Sequence, residues 1–364
     1  MTIWAHPDDD IIFANPTISD AIAAGRCVRT VFVTAGDAGK GLDYVAAREL
    51  GILRAYNAMR GKDGEWDAAE ITLDTGVQVR RLIPKDDPRL SVLYLRLPDG
   101  NLTGAGFDAT AHATLSKLYD GAVGTLVPVD GGPAVTRDQL IASVRELASA
   151  FHPEGTLTHI PRGSAFAPGD HPDHSAVGTL IRDSLTSDAA VGPGIRYFVG
   201  YPSENLPANL EGAVLDTKVD TYRIYTQQDQ VVRCADRSAC LKTRKFGQWL
   251  QRSYPKAEAD LQMGLTGPDA RTQESVARDS STAARASRSA MMSTKSFTGA
   301  SAYLSTATTA SSCTTSGSAS GKRAWTRSST PATVSSLSNP SLRFVTVRVL
   351  SAGRCRAGSP ARAS

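Results

Sequence analysis

Val28-Arg29-Thr30-Val31-Phe32-Val33-Thr34 is a nearly continuous run of β-branched and apolar residues, and it stops at Ala35-Gly36-Asp37-Ala38-Gly39, a turn-rich loop. Such a run reads as a strand buried on both faces. Helical spacing follows from about Tyr44 to Met59. Upstream, Thr2 to Ala5 reads as a short strand that ends at His6, and Thr17 to Ala24 as a helix closed by Gly25. Downstream, Val92 to Leu97 is a second apolar strand that ends at the turn Pro98-Asp99-Gly100-Asn101. Arg137 to Phe151 is helical with Thr136 as N-cap. Thr156 to Ile160 is a strand, Pro172 to Leu185 a helix, Ile195 to Tyr201 a strand and Leu241 to Tyr254 a late helix. Strands alternating with helices predict an α/β fold: a Rossmann-like, mostly parallel sheet with helices on both faces. Ligands of such sheets bind beyond the carboxyl ends of the strands. His6, the loop from Thr34 to Gly39, the turn from Pro98 to Asn101 and the segment before His171 should therefore meet at one edge.

The 364 residues carry a formal net charge of +4, which averages two unlike parts. Residues 268–364 hold 13 Lys/Arg against 3 Asp/Glu, so the preceding 267 residues carry −6. All six histidines lie in the acidic part. The expected organisation is an enzyme domain over 1–267 and a basic Ser/Thr/Ala/Arg-rich tail over 268–364. That tail lacks amphipathic period and has only Phe297, Tyr303, Trp325 and Phe344 as aromatic residues, as in a disordered segment or a frameshifted reading of GC-rich coding DNA. An acidic domain speaks against nucleic acid as partner. No run of about 18 apolar residues is present, so no membrane span is expected. None of the five cysteines forms a CxxC pair, which argues against a structural zinc cluster. Cys234 and Cys240 are close enough to close a small disulfide loop, and two separate thiols are the alternative.

Two short segments concentrate the chemistry. His6-Pro7-Asp8-Asp9-Asp10 puts an imidazole and carboxylates at a strand end, a mixed N/O donor set for a metal. Alone it would read as an acidic surface turn. Calcium-loop spacing is absent. Asp170-His171-Pro172-Asp173-His174 places Pro172 at the first position of a helix, with His171 and His174 three apart and able to share a face. Two exposed histidines at a helix start would be the ordinary alternative, but three of the six histidines fall in these segments. Asp10 and Asp170 are candidates to steady the ligands from behind. Arg48, Asp37, Asp99 and Asn101 are candidate substrate contacts; an ion pair or tight turns would explain them as well. His112, His152 and His159 receive no role.

The paired His6-Pro7-Asp8-Asp9 and His171-Pro172-Asp173-His174 motifs resemble those of the LmbE/PIG-L zinc de-N-acetylases. The resemblance runs from about Thr2 to Tyr254 and takes in the Thr34 to Gly39 loop and Arg48-Glu49-Leu50. It implies a hydrolase that removes the acetyl group from an N-acetylglucosamine-containing substrate, with Zn2+ as cofactor. His6, Asp9 and His174 match the zinc ligands, leaving a position open for water. Asp8 matches the general base. His171 matches the histidine that steadies the oxyanion, in protonated form, or protonates the leaving amine, and Asp173 matches a carboxylate that tunes it. Asp10 departs from the family's usual Glu. The Leu97 to Asn101 loop resembles secreted actinobacterial members, which implies export; read as starting at Met1, the chain would be cytoplasmic. An amidase of larger N-acyl or thiol conjugates is a second reading. A non-catalytic carbohydrate-binding module is a third, disfavoured because binding alone needs no general base.

Overall fold

The structure, a computed structural model, describes residues 1–264, and the expected basic tail over 268–364 lies outside the described residues. In chain order the strands are β1 (Thr2–Trp4), β2 (Val28–Thr34), β3 (Trp66–Thr72), β4 (Gln78–Pro84), β5 (Leu90–Leu97), β6 (Thr125–Leu126), β7 (Val135–Thr136), β8 (Thr156–His159), β9 (Ile195–Phe198) and β10 (Pro255–Lys256). The helices are α1 (Thr17–Ala23), α2 (Leu42–Met59), α3 (Leu115–Tyr119), α4 (Arg137–Phe151), α5 (Pro172–Leu185), α6 (Gly212–Thr226), α7 (Arg237–Lys242) and α8 (Phe246–Leu250).

Eight strands form one sheet in the order β10-β9-β8-β1-β2-β5-β4-β3. The five from β9 to β5 run parallel, β10 closes one edge antiparallel, and the β3–β4 hairpin extends the other. From β1 the chain first adds strands toward β5, then returns to the opposite side of β1 for β8 and β9. That reversal leaves a crevice at the carboxyl ends of β1 and β8, where a doubly wound sheet binds its ligand.

Side-chain alternation along the strands divides the interior into two layers. Ile3 and Ala5 join Val31, Val33, Leu93 and Leu95 under α4 and α5. Trp4 joins Phe32, Val92 and Tyr94 under α2 and α6, against Ile52, Tyr56, Val219 and Tyr222. The α4 N-terminus carries a capping box, Thr136 and Gln139 each bonding the other's backbone N–H.

Several elements differ from expectation. The late helix is two short ones, α7 and α8, broken where Lys245 takes φ +69° and Gly247 comes so close to the Leu241 carbonyl that a Cβ would collide. The strand expected to reach Tyr201 ends at Phe198, where a 3-10 turn, Tyr201–Asn205, takes over. The β3–β4 hairpin and α6 had no counterpart in the sequence reading. Cys234 and Cys240 form a disulfide with Cα atoms 5.0 Å apart. Among the described residues no helix is long and apolar enough to cross a membrane.

One interior residue is out of keeping with its surroundings. Lys218 of α6 is 1% exposed, and its Nζ donates to the Arg252 carbonyl at 2.6 Å. Burial pushes its pKa well below the ordinary range. A base with a depressed folded-state pKa makes the unfolded chain the better proton binder, so stability rises with pH toward the unperturbed lysine value of about 10.4. Lys218→Met is therefore expected to raise the thermal midpoint by a few degrees at about pH 7, with a gap that narrows at about pH 9. Scanning calorimetry of both proteins checks this, and a variant less stable at both pH values would contradict it.

Candidate metal centre

The crevice is lined from three directions. His6 follows β1, and the backbone N–H groups of Asp8 and Asp9 both donate to its carbonyl, at 2.8 and 3.2 Å. This tight turn swings Asp9 back, so that its Oδ2 accepts the His6 N–H at 2.7 Å. His159 ends β8. His171 is the N-cap of α5, with Pro172 in the first turn. The His171 Nδ1 accepts the Asp173 N–H at 3.1 Å, so the neutral ring carries its hydrogen on Nε2.

The expected ligands converge. His6 Nδ1 lies 3.2 Å from Asp9 Oδ2, and His174 Nε2 lies 3.1 Å from Asp9 Oδ1. Donors about 2.0–2.2 Å from a tetrahedral zinc sit about 3.3–3.5 Å apart, and each of these two spacings is close to that. His174 Nε2 is buried without a hydrogen bond, a donor atom aimed at the position such an ion would take. Among the described residues, the groups close enough to hold a metal are His6 with His171 and His174, His6 with Asp99, His171 and Asp173, and Asp9 with His159 and His174. Carboxylates hold the far side of both ligand rings: His174 Nδ1 is 2.8 Å from Asp170 Oδ1, and His6 Nε2 is 3.3 Å from Asp173 Oδ2. This is the usual support of metal-binding imidazoles.

Asp173, expected to tune His171, stands 3.9 Å from its Nδ1 and favours its charged form, and it lies nearer still to His6. One reading needs correction here: Asp10 was expected behind the ligands. Instead its Oδ2 accepts from Tyr56 Oη at 2.8 Å, and burial pushes its carboxyl up to about 7.

Burial dominates the electrostatics. It would raise the Asp9 carboxyl, but the fields of His174, His6 and His159 outweigh it and hold the group well below the usual range. Burial also opposes charge on His174, yet Asp9 and Asp170 lift it to about 9. Burial, then the His6 charge, pushes His171 down to about 3, so that ring is neutral rather than protonated as expected. Burial pushes Asp8 up to about 6 despite the Arg48 guanidinium beside it.

Arg48 does not stand open to substrate. Its Nη2 is 2.5 Å from Asp8 Oδ1, its Nη1 donates to the Gly36 carbonyl at 2.7 Å, and its Nε donates to Tyr225 Oη at 2.7 Å. The approach to Gly36 is close enough that a Cβ there would collide with the guanidinium. Asp229, unnoticed in the sequence, accepts from Tyr225 Oη at 2.9 Å and from Tyr44 Oη at 3.2 Å. Asp37 and Asp99 are buried and join their two loops: Asp99 accepts from Ala38 N, and Asp37 from Asp99 N. Gly100 N donates to Asp173 Oδ2 at 2.7 Å, which brings the same loop against α5. Asn101 sits at φ +64° and its Oδ1 accepts the Leu102 N–H, a contact within its own turn. The residue missed outright is His159, whose signal was its place at the end of a strand. His112 is exposed beside Asp108, and His152 caps α4 in the left-handed region.

Residues 1–185, about half of the chain, match the family model described as PIG-L, GlcNAc-PI de-N-acetylase, and His6, Asp8, Asp9, His171, Asp173 and His174 all fall inside the match. The chain belongs to this family. No curated protein sequence matches it. Solved structures similar to it include an N,N'-diacetylchitobiose deacetylase from Pyrococcus horikoshii, at 16% identity over 62% of this chain and 69% of that one, TM-score 0.36. A second is the zinc-inhibited form of the teicoplanin deacetylase Orf2, at 14% identity over 68% and 90%, TM-score 0.38. A third is the conserved protein TT1542 from Thermus thermophilus, at 17% identity over 70% and 91%, TM-score 0.34.

Removing one partner of a buried ion pair leaves the other charge uncompensated, at a cost of about 3–5 kcal/mol. Arg48→Met, which strips Asp8 of its counter-charge, is expected to lower folding stability by about that amount, read as a shifted urea midpoint. An unchanged midpoint would show that Arg48 is not engaged in this way.

Proposed function

We propose that the protein is a zinc-dependent hydrolase that removes the acetyl group from an N-acetylglucosamine-containing substrate. The observation that carries this reading is the convergence of His6, Asp9 and His174 with Asp8 and His171 beside them. Membership of a family described by de-N-acetylation of a GlcNAc lipid supports the choice of bond and sugar. When bound by His6, Asp9 and His174, zinc supplies a Lewis acid for the amide carbonyl and lowers the pKa of water.

The chain's own groups divide the remaining work. Asp8 is the base that takes a proton from the attacking water, and Arg48 at 2.5 Å favours its ionised form against burial. His171 holds Nδ1 against the Asp173 N–H and so offers Nε2–H as hydrogen-bond donor to the oxygen that becomes negative. The proton gained by Asp8 is the one the departing amine needs. Asp37, Asp99 and Asn101 shape the loops at the mouth and are proposed to contact sugar hydroxyls from there. The Cys234–Cys240 disulfide favours an oxidising compartment and hence a secreted protein.

Purified protein is expected to hold about one zinc per chain and to release acetate from N-acetylglucosamine conjugates. Asp8→Ala is expected to keep the zinc while kcat falls by about 10²–10⁴-fold. Metal analysis by plasma mass spectrometry together with an acetate assay checks both. Metal-free wild type, or a variant with full turnover, would contradict the reading.

A further inference from the structure

His159 is the largest departure from the sequence reading, and its surroundings are specific. The ring is wholly buried, with Trp4 edge-on at 4.9 Å between centroids. It stacks on the His174 ring, 4.0 Å between centroids and 6° from parallel. Its Nε2 lies 3.1 Å from Asp9 Oδ2, while His174 Nε2 lies 3.1 Å from Asp9 Oδ1. Two stacked imidazoles thus face the two oxygens of one carboxylate. His174 is a ligand in the proposed function, and its distal nitrogen is held by Asp170. His6 is another, backed by Asp173. Asp9 is the third, and besides the His6 ring its Oδ2 meets the His6 backbone N–H and His159.

From this arrangement we infer that His159 is a positioning residue for the metal: its Nε2–H donates to Asp9 Oδ2 and aims Oδ1 at the ion. The inference rests on the metal reading above. The Ala5 N–H also points at His159 Nε2, at 3.2 Å, and would ask for the opposite tautomer. That tautomer sets a nitrogen lone pair against a charged oxygen at 3.1 Å and leaves a buried Nδ1–H without a partner. The Nε2–H tautomer gives up the longer Ala5 contact and leaves an unused acceptor at Nδ1, but it makes a charge-assisted bond to Asp9, the stronger of the two. Stacking on His174 fixes the ring plane, so the donor direction is set before metal arrives.

The test is zinc affinity of the metal-stripped, full-length protein, by competition with a chelating dye. His159→Phe keeps the ring and the stack but has no donor. His159→Gln places an amide N–H near the Nε2 position. We expect the Phe variant to bind zinc about 10–100-fold more weakly and the Gln variant to recover most of that loss. Equal affinity of the Phe variant and wild type, or a Gln variant as weak as Phe, would overturn the inference while leaving the metal site standing. Failure of the wild type to bind zinc would instead overturn the proposed function and this inference with it. Should the Phe substitution unfold the sheet centre, the zinc-loaded wild type still decides through nitrogen-15 NMR of the imidazoles: a His159 Nε2–H tautomer supports the role, and Nδ1–H overturns it.

Discussion

Asp9 is a carboxylate 3% exposed to solvent, with nitrogens of His6, His159 and His174 all within 3.2 Å of its oxygens. Burying such a charge is tolerable only where positive charge or hydrogen-bond donors surround it. The fold supplies these from the ends of β1 and β8 and from the first turn of α5, three segments that only the central crossover of the sheet brings together. The same geometry suits a divalent cation, which would draw on the carboxylate and two imidazoles at once. Much of the local structure follows from that requirement. The turn after His6 exists to bend Asp9 back, and Pro172 starts α5 where His174 can reach it.

The second buried charge system is Asp8 with Arg48. Here the pairing is short and well bonded, and it reaches through Tyr225 to Asp229 just past the end of α6. The sheet edge therefore carries two adjacent acids in opposite electrostatic environments, as the proposed roles of ligand and base require. Asp9 is held well below the ordinary carboxylate range, suited to a permanent ligand, while Asp8 is pushed up to about 6. Environments that pull neighbouring carboxyls apart in this way separate a structural acid from a working one.

The parallel core of the sheet was legible because its strands are continuous apolar runs ending at turns, and α4 and α5 because a capping threonine and a first-turn proline mark their starts. The β3–β4 hairpin was not. Its outer strand, Trp66-Asp67-Ala68-Ala69-Glu70-Ile71-Thr72, buries only Ile71, since an edge strand faces water on most sides. The late helix was misjudged because helical spacing from Leu241 onward does not register that Gly247 must pass against the Leu241 backbone. At the site, His6, Asp9 and His174 lie in short motifs whose spacing carries information. His159 stands alone in its segment, and its relation to Asp9 spans 150 residues. No local pattern encodes that contact; it comes from the pairing of β1 with β8. The neutral state of His171 was hidden for a similar reason, because it depends on burial and on the neighbouring His6.

The central claim is that His6, Asp9 and His174 together hold a single zinc ion. X-ray absorption at the zinc edge of the loaded protein addresses it most directly. A first shell of nitrogen and oxygen at about 2.0–2.2 Å, with the outer-shell scattering of two imidazoles, is the expected result. An all-oxygen shell without imidazole scattering, or a sulfur shell near about 2.3 Å, would contradict it.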